Sequence, residues 1–140
     1  MSLFIPQDSE ESLPKDLLSL AHFLEEIKDF KILLYKKTDS TNDVAKEVSL
    51  KECFNFTVII SDTQTAGRGR YLRMWFSPPE VNIYMSIIVR KTEQTTFYPS
   101  LINLATSVSV LNAIEEIIYI NNDSKYLWLK WPNDIYFYEK

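Results

Sequence analysis

Apolar residues recur at Leu17, Leu20, Ala21 and Leu24, the i, i+3, i+4, i+7 spacing that lines one face of a helix. Ser12 followed by Pro14 supplies a start signal, so a helix is predicted over about 14–28. Residues 31–36 form a short apolar run closed by charges and read as a strand. Asp39, Ser40, Thr41 and Asn42 are all capping types, and Val44, Ala45 and Val48 follow at helical spacing, which predicts a second, short helix. The β-branched and aromatic run 56–60 predicts a buried strand, and 82–89, nearly continuous in apolar residues, predicts a central one. Residues 92–98 are a polar connection. Pro99 opens the longest helix, about 99–119, whose broad apolar face is expected to lie on the sheet as core. After a turn cluster at 121–124, strands at 126–129 and 135–138 frame a hairpin whose tip is Lys130-Trp131-Pro132-Asn133-Asp134. The expected architecture is a single α+β domain over 1–140, with a mixed, mostly antiparallel sheet and packed helices. Residues 1–12 are a loose lead-in, and the helix at 14–28 is too short for a winged-helix DNA-binding domain.

Composition narrows the classes. At 140 residues, 46% hydrophobic and 24% charged, the chain is one ordinary globular domain with material for a core. One cysteine, Cys53, allows no internal disulfide, and with the lone His22 it makes no metal cluster, which fits a reducing compartment. No apolar run reaches the roughly 18 residues of a membrane span, and the start lacks a signal peptide's pattern. A cytoplasmic protein is the expectation. The net charge of -4 disfavours nucleic acid as the main partner, because phosphate backbones attract basic surfaces.

Against that background one stretch stands apart. Gly67 and Gly69 are the only glycines, where average usage of roughly 7% would give roughly ten. They are interleaved with Arg68 and Arg70, with Arg73 close behind. Glycine permits positive φ and lets a ligand approach the backbone, and arginine forks bind carboxylate or phosphate oxygens. The pattern describes a loop closing over an anion, delivered by the strand at 56–60. A solvated turn or a nonspecific nucleic-acid contact has the same local composition. The cluster 39–42 likewise reads either as helix capping or as polar groups at a helix start offered to a ligand.

Three peptides then follow in order: Asp39-Ser40-Thr41-Asn42, Gln64-Thr65-Ala66-Gly67-Arg68-Gly69-Arg70 continuing to Trp75-Phe76-Ser77-Pro78, and Lys130-Trp131-Pro132-Asn133-Asp134. In this order and spacing, roughly residues 31–140 resemble the N-terminal part of the catalytic domain of the biotin protein ligases, the biotin–[acetyl-CoA-carboxylase] ligase and holocarboxylase synthetase family. The likeness is to the biotin branch rather than to the lipoate- and octanoate-attaching cousins of the same fold. The resemblance implies an ATP- and Mg²⁺-dependent enzyme that forms biotinyl-5′-AMP and passes biotin to a lysine of a biotin carboxyl carrier domain. By motif it implies biotin contacts at Ser40, Thr41, Asn42, Gln64, Gly67, Arg68, Gly69 and Arg70. It implies ATP contacts at Arg70, Arg73, Trp75, Lys130, Asn133 and Asp134, with Asp134 also helping to hold the metal. Arg68, Arg70 and Arg73 are the candidate catalytic residues, since joining two anions requires cations that offset their repulsion and fix attack geometry. Trp75 serves equally as a loop anchor, Trp131 as wall or core, and Lys130 as a solvent-exposed strand end.

The sequence ends where the family pattern reaches a basic pair. Lys140 matches the first member, and the lysine credited with binding biotin's carboxylate and the phosphate would come next. The family's later strands and small C-terminal β domain are expected to be absent from this chain. An open sheet edge is therefore expected, through which a homodimer could form. The resemblance thus supports a ligase or, as the alternative, a truncated relative that holds biotin or an adenylate without turnover. An arginine–glycine nucleic-acid binder is the weakest reading on charge.

Overall fold

The computed structural model describes residues 3–4, 19, 30–51, 56–69, 71, 73–90, 98–120 and 125–139. The chain forms two compact units, Met1–Arg90 and Lys91–Lys140. The helix expected over 14–28 and the connection at 92–97 lie outside the described residues, apart from Ser19, which is helical.

The first unit holds a four-stranded sheet in the order β1-β2-β3-β4, from β1 (Leu3–Phe4), β2 (Phe30–Thr38), β3 (Phe56–Gln64) and β4 (Tyr84–Val89). Leu3 and Phe4 pair parallel with Ile32 and Leu33, so the expected lead-in contributes a short edge strand. Helix α1 (Thr41–Lys51) joins β2 to β3, and a helical crossover of this kind returns the chain parallel, as observed. β4 pairs antiparallel with β3. The α+β class and the mixed sheet match the sequence expectation. The balance within the sheet is less antiparallel than expected, with two parallel pairings and one antiparallel, and the α1 crossover accounts for the β2–β3 pairing.

Consecutive residues of β2 and β3 are buried, including Ile32, Leu33, Leu34, Val58, Ile59 and Ile60, so both faces of these inner strands are covered. Each fully buried aliphatic side chain here is worth about 1.5–3 kcal/mol. α1 packs against β3 and β4, with Val44, Ala45 and Val48 half-buried as their spacing predicts. β4 corrects the expectation of a central strand. It is the last strand of this sheet, and Met85, Ile87 and Val89 alternate outward as exposed positions.

In the second unit, α2 (Pro99–Ile120) packs on a hairpin of β5 (Lys125–Lys130) and β6 (Asp134–Glu139). The Tyr98 carbonyl accepts from the amides of Leu101 and Ile102, so Pro99 occupies the first helical position, where its missing N–H costs nothing. The expectation that this helix buries a broad face in core is only partly met. Leu101, Ile102, Leu104, Val108, Val110 and Ile117 stay exposed, since the helix is apolar on several sides and a two-stranded hairpin covers one stripe. Trp128 and Tyr136 are direct cross-strand partners with ring centroids 5.4 Å apart.

Candidate functional site

Parallel pairing brings Thr38 and Gln64 side by side at the C-terminal ends of β2 and β3. The chain beyond β3 stays tied to the chain beyond β2, through Thr65 N to Thr38 O at 2.9 Å and Ala66 N to Asp39 O at 2.8 Å. The glycine–arginine segment then doubles back as a small ladder. Trp75 N donates to Gly67 O at 2.7 Å, Gly69 N to Arg73 O at 2.8 Å, and Gln64 N to Ser77 O at 3.2 Å. Arg68 bridges Met74, so its backbone is fixed within this ladder.

The glycines act differently from the sequence expectation. Neither has positive φ; among the described residues that conformation belongs to Tyr71 and Glu80. A Cβ on Gly67 would lie 2.7 Å from Trp75 O, 2.8 Å from Ser77 Oγ and 3.3 Å from Gln64 Nε2. Gly67 therefore lets the two arms of the segment pack against each other. A Cβ on Gly69 would make only ordinary contacts, at 3.4 Å and beyond.

A polar chain crosses the floor of the site. Ser86 Oγ donates to Thr41 Oγ1 at 2.9 Å, and Thr41 donates through both N and Oγ1 to Gln64 Oε1, at 2.9 and 3.2 Å. Gln64 Nε2 donates in turn to Ser77 Oγ at 3.1 Å. Above this chain is a cavity of about 220 Å³ lined by Ser40, Thr41, Asn42, Gln64, Arg68, Trp75 and four consecutive residues, Ile83 to Ser86. Six residues picked out from sequence thus border one cavity. Ile83, Tyr84, Met85 and Ser86 were missed, although Ser86 is the one polar residue in the run 83–89 and could have signalled a site. Ser40 is buried and its carbonyl accepts from Asp43 N and Val44 N, which places it at the start of α1 whatever its role toward a ligand. Trp75 is 60% exposed, so it is cavity wall and not a core anchor.

Arg68 reaches from the ladder to the first turn of α1, its Nη2 2.7 Å from Asp43 Oδ2. Lys46 Nζ takes the other carboxylate oxygen at 3.3 Å. Arg73 borders a separate hollow of about 330 Å³ with Gly67, Arg68 and Gly69. Arg70 lies outside the described residues.

Within the second unit, Lys130 and Asp134 are the closing pair of the hairpin, and Trp131-Pro132-Asn133 form its turn, with a cis peptide before Pro132. Lys130, Trp131, Asn133 and Asp134 are all exposed. Lys130 Nζ sits 5.3 Å from the centre of the Tyr136 ring and 3.3 Å from its hydroxyl. The buried Ser107 hydroxyl of α2 lies 3.1 Å from Pro132 O, which ties the turn to the helix.

The cavity offers hydroxyls, amides, aromatic walls and one guanidinium, a set suited to a small ligand with a neutral polar ring and an anionic end. The pattern of the biotin/lipoate A/B protein ligase family matches residues 34–140. The chain is 36% identical over 104 residues to the bifunctional ligase/repressor BirA of Bacillus subtilis, covering 74% of this chain and 30% of that protein. It is 31% identical over 100 residues to the biotin--[acetyl-CoA-carboxylase] ligase of Mycobacterium tuberculosis, covering 71% and 37%. Its fold is similar to that of Aquifex aeolicus biotin protein ligase in complex with biotin and ATP, with a TM-score of 0.61 and 32% identity over 81% of this chain and 44% of that one. Leishmania major biotin protein ligase in complex with biotinyl-5-AMP gives a TM-score of 0.61 and 27% identity, over 74% and 46%. The chain spans roughly a third of the curated relatives' length.

Proposed function

The chain belongs to the biotin/lipoate A/B protein ligase family, and from that premise we propose that it carries biotin-binding and adenylate-forming residues of an ATP-dependent biotin protein ligase. The observation that carries this reading is the single cavity bordered by Ser40, Thr41, Asn42, Gln64, Arg68 and Trp75. The complexes of its structural neighbours with biotin, ATP and biotinyl-5-AMP support it.

Thr41, Gln64 and their hydroxyl neighbours hold the ureido ring, with Ser40 and Asn42 beside them. The polar chain from Ser86 to Ser77 fixes the donors and acceptors before a ligand arrives, which lowers the ordering cost of binding. Arg68 and Arg70, with the backbone of Gly67 and Gly69, take the carboxylate, and Arg70 and Arg73 offset charge as that carboxylate attacks the α-phosphorus and pyrophosphate leaves. Trp75 covers the ligand and limits water near the mixed anhydride. In the second unit, Lys130, Asn133 and Asp134 are assigned to the nucleotide. Asp134 is also the carboxylate offered to Mg²⁺, which would supply charge neutralisation on the phosphates. Asp134 is exposed in the closing pair of the hairpin, a carboxylate accessible to an ion that takes its other ligands from phosphate and water. The acceptor is a lysine of a biotin carboxyl carrier domain in the cytoplasm, and β4, the last strand of its sheet among the described residues, is a route to a homodimer. No described helix is long and apolar enough to cross a membrane.

Biotin-dependent exchange of labelled pyrophosphate into ATP tests the reading. Exchange that requires biotin and disappears in a folded Arg68→Ala variant is the expected result. Saturable biotin binding without exchange would assign the chain to the non-catalytic alternative, and absence of both would remove the biotin reading.

A further inference from the structure

Arg68 borders three hollows at once: the 220 Å³ cavity, the 330 Å³ hollow of the ladder, and a cleft of about 640 Å³ that also contains Asp43. Its side chain is 64% exposed. A guanidinium on a long, solvated stem samples many rotamers, and few of them point at any one anion. The contact with Asp43 selects one. Asp43 is the third residue of α1, in the first turn, where the helix's positive end favours a carboxylate. One Asp43 oxygen holds Arg68 Nη2 and the other holds Lys46, so the carboxylate is itself fixed from two sides. A single-nitrogen contact leaves most of the guanidinium's N–H donors uncommitted to Asp43.

We propose that Asp43 is a positioning residue for anion recognition, holding Arg68 against the first turn of α1 so that its remaining N–H groups are set for the ligand's carboxylate. The proposal rests on the biotin reading for the identity of the ligand and on the ion pair for its mechanism. Asp43 touches no reacting atom in this scheme. It acts through Arg68, and also anchors the ladder through Arg68's bridge to Met74.

The test is calorimetric titration of the 140-residue chain with biotin and with biotinamide, which keeps the ureido ring and lacks the charge. Asp43→Asn is expected to weaken biotin about threefold to fivefold, the scale of an exposed ion pair, and to leave biotinamide unchanged, while Asp43→Glu restores most of the loss. Equal weakening of both ligands would make Asp43 a general support of the pocket and overturn the proposal. Tighter biotin binding would also overturn it, by showing that Asp43 withholds Arg68 from the anion. If the unmodified chain binds neither ligand, the biotin reading fails by itself. The pairing is then decided by amide hydrogen exchange without ligand. Faster exchange at Gly69 and Trp75 in Asp43→Asn upholds the positioning, and unchanged exchange ends it.

Discussion

At Gly67 a methyl group would meet the Trp75 backbone oxygen at 2.7 Å, which no side-chain rotation can move, and the Ser77 hydroxyl at 2.8 Å. Gly67→Ala must therefore spread the two arms of the ladder. The expected cost is about 1–3 kcal/mol in chemical denaturation, the range for overpacking. Biotin affinity should fall by about tenfold, the factor for 1.4 kcal/mol. Gly69→Ala is the contrasting case, since its added carbon meets nothing closer than 3.4 Å and Gly69 has no positive φ. Its stability should stay within about 0.5 kcal/mol of the parent, as for an ordinary surface change. Both glycines drew attention in the sequence by their rarity, which was informative. What each one does depends on which atoms face it across the ladder, and sequence does not record that.

Polar residues carry β3 past the point where its pattern suggests it should stop. The run 56–60 reads as the whole strand, yet pairing continues through Ser61, Asp62, Thr63 and Gln64. Their polar groups are met by the returning chain: Asp62 Oδ1 accepts from Glu80 N at 2.9 Å, and Thr63 Oγ1 donates to Ser77 O at 2.6 Å. Those partners lie more than a dozen residues away, so local propensity could not see them. The same long-range logic hides β4's edge position, because an apolar run looks alike whether or not another strand lies beside it. The capping cluster and the α1 face were legible because their physics is local. Thr41→Val tests the connection between α1, β3 and β4, since it deletes the hydroxyl between Ser86 and Gln64. A loss of about 0.5–1.5 kcal/mol is expected in urea unfolding, the net worth of a typical hydrogen bond, since Gln64 Oε1 keeps the Thr41 amide as a donor. Tyr35 in β2 makes stability depend on pH. Burial, and secondarily the charge of Glu47, raise the Tyr35 hydroxyl above its usual pKa. A folded pKa above the unfolded one means the native chain binds more protons in that interval, so stability is complete below about pH 10 and falls as pH rises beyond it. Tyr35→Phe should flatten that alkaline decline in unfolding experiments between pH 8 and about 11.

Across the whole molecule the candidate residues divide between two units, and the division makes a claim about which functions separate. Every residue bordering the 220 Å³ cavity belongs to the first unit, while Lys130, Asn133 and Asp134 belong to the second. Under the proposed function, substitutions in the hairpin turn should spare biotin binding and harm only what depends on the nucleotide. Asp134→Ala is the direct test. Its biotin dissociation constant should match that of the parent within about twofold, while pyrophosphate exchange falls by about a hundredfold or more, the scale for losing one preorganised charge partner in a reacting site. Ser107→Ala extends the same logic one step from the chemistry. Removing the hydroxyl beside Pro132 O should loosen the turn, seen as faster amide exchange at Asn133 and Asp134, again with biotin affinity intact. Parallel loss of biotin binding in either variant would mean that the pocket depends on the second unit, and the assignment of ring recognition to Ser40, Thr41, Asn42 and Gln64 alone would have to be given up.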